Sequence, residues 1–556
     1  MTRPSGRLAY CTLALLAQVA AGAGLLAEAP FSRYHRDQDR KAVAIQPKNI
    51  PAPDTEGRVS LTERQAVEMA IVNNFDVNLQ RNTVLSERWR IDQLRGLYDP
   101  LTTMQFSWNR TKTPTGSILE GGPSLTNVVT SLSSTYSQAW RTGTSIEATF
   151  TGSRNRSTNS FSSLVPAMNA QFEILVRQSL LEGFGKVGQE YQIEIARNSS
   201  DSSEQEFKRQ ATELIVQVQD SYWELEFLDR DVAVKEKSLQ LAETVLAQNR
   251  SRYEAGTAAR LEMVQAEAEA ALREDELLRS RYNRRLVADG LIQLITNLED
   301  PRQFPGNLAP ADPVTSPPEV TETFSELREK ALVARPEVEQ SKLEISSQKT
   351  SLDLTRDRLR PSLDLVAGYQ QYGLGGTLIN RDYSQGFINP PIISVVPGGF
   401  GDALDQMFGA DYYGYMLGLQ LQIPIFNREA RAENAQAQIA LDQATMREQS
   451  VRQLIATQLR DALTRIEMNR ASFRATEAAV RSARERMSAE QARFDAGMAT
   501  TREIIEAQRD LLLAETTALR SQIDLIKSHA LLDRAIGRTF ERFNIRLADA
   551  LEVNVR

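Results

Sequence analysis

Arg252-Tyr253-Glu254-Ala255-Gly256 returns 241 residues later as Arg493-Phe494-Asp495-Ala496-Gly497, with the cation, the ring, the acid and the closing glycine all in place. Glycine permits the positive φ that ends a helix, so each pentapeptide reads as the tip of a helical hairpin. Beyond the tips the same offset pairs Glu262 with Glu503, Ala266 with Ala507, Leu272 with Leu513 and Arg279-Ser280 with Arg520-Ser521. Towards the N-terminus the offset becomes 261 and pairs Glu68 with Glu329, Ala70 with Ala331, Val77 with Val338, Arg95 with Arg356 and Pro100 with Pro361. Two registers held over long stretches describe a tandem duplication. The change from 261 to 241 makes the first half 20 residues longer, somewhere between Pro100 and Arg252.

Each half has the same order of elements. Helices are predicted over 61–97 and 322–359, stopped by Pro100 and Pro361. Strand-like alternation follows. Tyr413, Tyr415, Leu417, Leu419, Leu421 and Ile423 alternate with mostly small or polar residues, as do Met104, Phe106 and Trp108, and again Phe172, Ile174 and Val176. This period of two fits a soluble sandwich strand and a lipid-facing barrel strand equally well. The long glycine- and proline-bearing stretch from Gly373 to Ala410 favours the barrel, as an extracellular loop. From Arg428 to Arg493 there is neither proline nor glycine. About 65 residues at 1.5 Å each give roughly 100 Å of helix. Ala211, Leu214, Val218, Tyr222, Leu225 and Val232 in its first-half counterpart recur at coiled-coil spacings. Return helices are predicted over 258–297 and 499–536. Hairpins so narrow need neighbours to bury their apolar stripe.

The N-terminus carries Arg3 and Arg7, an apolar run Leu8–Ala20 and an Ala27-Glu28-Ala29 site, which together describe a secretory signal peptide over 1–29. A membrane anchor is the alternative, but Gln18 breaks a run that is already short for a span. The one cysteine, Cys11, lies inside that signal, so thiol catalysis, thiolate-bound metal and disulfides are excluded from the mature chain. The net charge of −7 supplies no basic patch for nucleic acid. The two histidines, His35 and His529, form no metal-binding or relay pair. Gly183-Phe-Gly-Lys186 lacks the remaining elements of a P-loop. The chain is therefore read as no enzyme, with no cofactor and no metal.

Two further segments are more specific. They are Gln178-Ser-Leu-Leu-Glu-Gly-Phe-Gly185 before the first long helix and Leu421-Gln-Ile-Pro-Ile-Phe-Asn427 before the second. With the duplicated order of helix, strands and hairpin, the chain resembles the TolC-like outer-membrane efflux proteins from about residue 59 to 540. The resemblance implies an α+β membrane protein: a trimeric outer-membrane β-barrel, two strand pairs from each protomer, continued by a long periplasmic α-helical coiled-coil barrel. It divides the chain into a signal peptide (1–29), an extended lead (30–58), a first repeat (59–300), a proline-rich linker (301–320), a second repeat (321–540) and a tail (541–556). The function implied is the exit duct of a multi-component efflux or type I secretion system, as a homotrimer in outer-membrane lipid that meets a periplasmic adaptor and an inner-membrane pump. A periplasmic coiled-coil scaffold or adaptor without channel activity is the alternative, although an adaptor would carry one hairpin inserted in a β-domain.

The resemblance also implies sites. Family members narrow the periplasmic end with acidic residues just beyond the tip glycine, which here are Glu262, Glu503 and Glu506. Three copies of each would make carboxylate rings favouring cations; ordinary solvated helix faces are the bland reading. Arg260 and Arg502 stand close enough in sequence to pair with them. Tyr253, Gly256, Thr257, Phe494, Gly497 and Met498 at the tips are the expected adaptor contacts, or simply turn residues. One segment departs from the family pattern: 128–140 and 144–153, joined by Arg141-Thr-Gly143, form an extra hairpin that either enlarges the barrel or projects as a flap, with the flap slightly preferred.

Overall fold

The structure, a computed structural model, describes residues 51, 58–116, 123–257, 259–298, 304–305, 307–384, 390–496 and 498–545. The segment read as a signal peptide, nearly all of the expected lead, Gly497 and the end of the expected tail lie outside the described residues. The described residues form two compact units, one built from those within 88–198 and 346–442, the other from those within 58–87, 199–345 and 443–545. No described helix is long and apolar enough to cross a membrane.

The opening helix of each half is in fact two. Helices α1 (Glu63–Asn73) and α2 (Phe75–Arg95) are divided at Asn74. The Asn74 side chain accepts from the Asp76 and Val77 amides and so caps the second helix. The long helix α3 spans Tyr191–Glu254, and α4, Arg260–Ile295, returns from the tip. In the second half α5 (Phe324–Ala334) and α6 (Pro336–Asp357) are divided at Arg335, where Pro336 removes an amide and drives the residue before it into extended backbone. The same break is thus made by a side-chain cap in one half and by proline in the other. Thr62 with Gln65 and Thr323 with Glu326 form matching capping boxes at the two starts.

In the first unit strands β2 (Leu101–Pro114), β3 (Ser124–Ala139), β4 (Thr144–Ser157) and β5 (Leu164–Ser179) form an antiparallel meander. Here β1 denotes Val59–Leu61 and β6 Leu308–Pro310, a short parallel pair in the other unit. The long strand β7 (Ser362–Arg381) joins β5, so the sheet runs continuously from the first half into the second. Its other edge is shared by β8 (Ile392–Val396) above and β9 (Tyr412–Gln422) below. This corrects two expectations. Residues 128–153 are no flap, because β3 and β4 are hydrogen-bonded along both edges inside the sheet. Gly373–Ala410 is no irregular loop: it contains the end of β7, all of β8 and the helix α7 (Phe400–Phe408).

Directly paired antiparallel residues share a face, so the register sorts the sheet. One face carries Met104, Phe106, Trp108, Leu132, Phe150, Phe172, Ile174, Leu365, Tyr415, Leu417 and Leu419. The other carries Gln105, Ser107, Ser131, Thr149, Thr151, Gln171, Glu173, Gln370 and Gln420. Many of the apolar residues are exposed, Tyr415 and Leu417 most of all. The helix α7 lies on the apolar face through Ala403 and Met407, packed against Ala170, Phe150 and Phe172. Gly373 makes this approach possible, since a Cβ there would fall 1.8 Å from the Ala403 carbonyl oxygen.

The second unit holds the main core, where Phe207, Ile215, Tyr222, Leu225, Leu291 and Ile292 pack against Ala66, Val67 and Ala70 of α1. The β1–β6 pair closes over it. Tyr222 Oη donates to Asp312 Oδ2 at 2.7 Å and accepts from the Ala311 and Asp312 amides, and burial raises its pKa. Residues 301–320 are therefore more than a linker: Leu308–Pro310 is a paired strand with Leu308 in the core. The predicted tail from 541 likewise begins packed, with Phe543 in the same core as Phe540. The remaining helices are α8 (Arg428–Asp495) and α9 (Thr501–Ile536).

Candidate functional site: the paired hairpin tips

Both tips lie in the second unit and end their long helices alike. In the first, Gly256 takes φ +75, and Thr257 donates its amide back to the Arg252 carbonyl at 2.9 Å. In the second, the Met498 amide donates to the Arg493 carbonyl at 2.8 Å. These are equivalent bonds, five residues back to a carbonyl, and in the first tip the helix closes on the left-handed Gly256.

The tips are bound to each other. The Arg252 guanidinium stands 4.4 Å from the centroid of the Phe494 ring and donates to the Phe494 carbonyl at 3.2 Å. Phe494 is fully buried, at 0% exposure, in a core with Val245, Ala266, Met487, Ile504 and Ala507. Beside it the buried Thr501 hydroxyl lies 3.1 Å from Asn249 Oδ1 and 3.4 Å from Glu262 Oε2. Phe494 was expected as an adaptor contact; its burial makes it core packing instead. Tyr253, Gly256, Thr257 and Met498 are exposed, and Gly497 lies outside the described residues.

The three acidic candidates have different surroundings. Glu262 is half-buried and tied to Thr501 of the neighbouring tip. Glu503 belongs to a capping box: it accepts from the Thr500 amide at 2.6 Å and from the Thr500 hydroxyl at 3.0 Å. Those bonds, aided by Arg493, hold its carboxyl below the ordinary value. Glu506 is exposed and pairs with Arg502 one turn away, at 3.0 Å within α9. The Arg502 pairing is thus made inside one helix rather than across the tips.

Sequence reasoning missed the ionic network behind the tip. Arg273 is 5% exposed and lies 2.5 Å from Glu269 and 2.8 Å from Glu276, while Arg509 of α9 reaches Glu269 at 2.9 Å. The i,i+4 spacing of Glu269 and Arg273 was readable, but their burial depends on the neighbouring helix. Further along, Glu224 accepts from Lys527 at 2.6 Å and Arg520 at 2.7 Å. Burial alone would raise the Glu224 pKa, and these two cations reverse it. His529 is half-buried on α9, and no cluster of metal-ligating side chains occurs among the described residues.

The model of the family described as Outer membrane efflux protein matches residues 144–297 and 327–538, well over half of the 556 residues. The chain belongs to the outer membrane efflux protein family. Its place is the outer membrane, and its family is one of efflux channels rather than enzymes. The outer membrane protein TolC of Vibrio cholerae is 26% identical over 307 residues, 53% of this chain and 66% of that protein. Among solved structures, the Campylobacter jejuni outer membrane channel CmeC superposes with a TM-score of 0.61 at 15% identity, over 85% of each chain. The outer membrane protein VceC of Vibrio cholerae superposes at 0.59 and 14% identity, over 85% of this chain and 96% of that one. At such identities these structures speak for the fold alone.

Proposed function

We propose that this chain is the exit duct of a multi-component efflux or type I secretion system. Three copies share one barrel, and the hairpin tips meet a periplasmic adaptor that couples them to an inner-membrane pump. The observation that carries the reading is the two-faced sheet, with exposed aromatic and aliphatic rows on one side and Ser, Thr, Gln and Glu on the other. A soluble scaffold would bury such an apolar face, whereas lipid leaves it free and a polar face lines a water-filled bore. Exposed Tyr253, Thr257 and Met498 are the adaptor surface. Glu262, Glu503 and Glu506, in three copies, form the cation-favouring constriction. The halves 59–300 and 321–540 are tandem repeats; α3–α4 and α8–α9 end at positions 241 apart, Glu254 against Asp495 and Ile295 against Ile536.

Single-channel conductance in planar bilayers tests this. Wild type is expected to give small, cation-preferring currents, and Glu262→Gln/Glu503→Gln/Glu506→Gln to weaken the preference. Unchanged selectivity removes these carboxylates from the gate. Folded protein without any channel refutes the duct.

A further inference from the structure

The sheet in the first unit has two long edges without a neighbour among the described residues. One is β2, 14 residues long and exposed throughout. The other is composite, with β9 supplying 11 residues and β8 continuing it by 5. Between them Gln406 of α7 accepts from the Leu374 amide at 2.7 Å, which satisfies a β7 donor that neither strand reaches. The two edges match in three respects. They are similar in length. The successive antiparallel pairings make β8 and β9 run opposite to β2. Both show their apolar row on the same side, Met104, Phe106 and Trp108 on β2 and Tyr415, Leu417 and Leu419 on β9. An exposed edge of this length is a template for pairing with another chain.

We propose that β2 of one copy pairs with the β9–β8 edge of the next, and that three copies close an eighteen-stranded barrel. The count of three rests on the trimer proposed above; the count of six per copy is β2, β3, β4, β5, β7 and the β9–β8 pair. The decisive element is the β3–β4 hairpin, turned at Gly143 with φ +82. It lies inside the sheet between β2 and β5. Without it each copy contributes four strands and the ring twelve. Barrel diameter grows roughly linearly with strand number, so the hairpin widens the barrel about 1.5-fold. At a strand spacing near 4.8 Å and a tilt near 40°, eighteen strands give about 36 Å between opposite backbones. After side chains, such a bore admits cargo wider than a single helix, about 10–12 Å across.

The test uses the full chain in lipid nanodiscs, with the copy number read from native mass and the strands counted by electron cryomicroscopy. Three copies with eighteen strands are expected. Three copies with twelve strands, the hairpin lying outside the wall, overturn the wide barrel and leave the duct standing. A mass other than three overturns the trimer itself, and the barrel count with it. A second variant deletes residues 124–157, so that β2 and β5 become a direct hairpin with their apolar faces still in phase. Its barrel perimeter is expected to fall to about two thirds of wild type. An unchanged perimeter overturns the proposal, and if the deletion fails to fold the wild-type count decides alone.

Discussion

Replacing Phe494 by alanine probes the closure of the tip directly. The ring is wholly buried among Val245, Met487, Ile504 and Ala507 and carries the Arg252 guanidinium on its face. Removing a buried phenylalanine costs about 3–5 kcal/mol in transfer and cavity terms. The lost cation–π contact adds about 0.5–2 kcal/mol. The tip is a small core at the end of long helices, so the loss falls on its local opening rather than on the whole molecule. At about 1.4 kcal/mol per decade, amide exchange in the segments around 245–266 and 487–507 should accelerate by about two and a half to five orders of magnitude. Hydrogen exchange read by mass spectrometry resolves this against the strands as internal controls. Arg252→Met keeps the ring buried and loses the cation together with its hydrogen bond to the Phe494 carbonyl, about 1–3.5 kcal/mol in all, so its effect should stay within about 400-fold. Protection at the tip within about threefold of wild type for Phe494→Ala would refute the view that this ring holds the two hairpins together.

Three further outcomes follow from the geometry. Gly373→Val places side-chain atoms where the Ala403 carbonyl stands, so α7 must leave the sheet; limited proteolysis between 400 and 408 should become fast, and wild-type resistance would contradict the packing. Arg273→Met leaves Glu269 buried beside only the half-exposed Arg509 and should lower the thermal midpoint by an amount equivalent to about 3–5 kcal/mol. Adding Glu269→Leu should recover most of it, and a double variant no better than the single would show that the pair is not coupled. Glu503 has its pKa lowered, so its capping contribution is complete above the ordinary value of 4.5 and is lost as pH falls through the depressed one. Exchange at Thr500–Ile504 should therefore quicken only in that acid range, and Glu503→Gln should abolish the pH dependence.

The sequence made the hairpins plain because each is local. Long proline-free runs, a glycine at the tip and equivalents at constant offset required no knowledge of the partner element. Both opening helices were expected unbroken, although one of the two breaks carried a sequence signal. Pro336 announces its break, whereas Asn74 makes the same one with a side-chain cap that looks like any polar helix residue. The helix α7 hid among glycines and prolines, although Phe400, Leu404 and Met407 keep helical spacing; its seat on Gly373 depends on a strand almost thirty residues away. At the tip the sequence located the acids and the turn but assigned Phe494 to the surface, because the arginine that covers it comes from the other hairpin, 242 residues earlier. Strand alternation showed that residues 128–153 were strands without showing that both their edges were taken. That is a tertiary fact.

The pairing of β5 with β7 also sets the order in which this molecule can be made. Glu173 sits opposite Gln370, and everything between them, including all of α3 and α4, must be synthesised and exported before that ladder can form. Until then the meander of the first half exposes β5 as well as β2, two adhesive edges on one apolar sheet. Contacts so distant in sequence form slowly. The growing chain therefore carries its sheet unfinished, with β5 uncovered, until the second half arrives to pair with it.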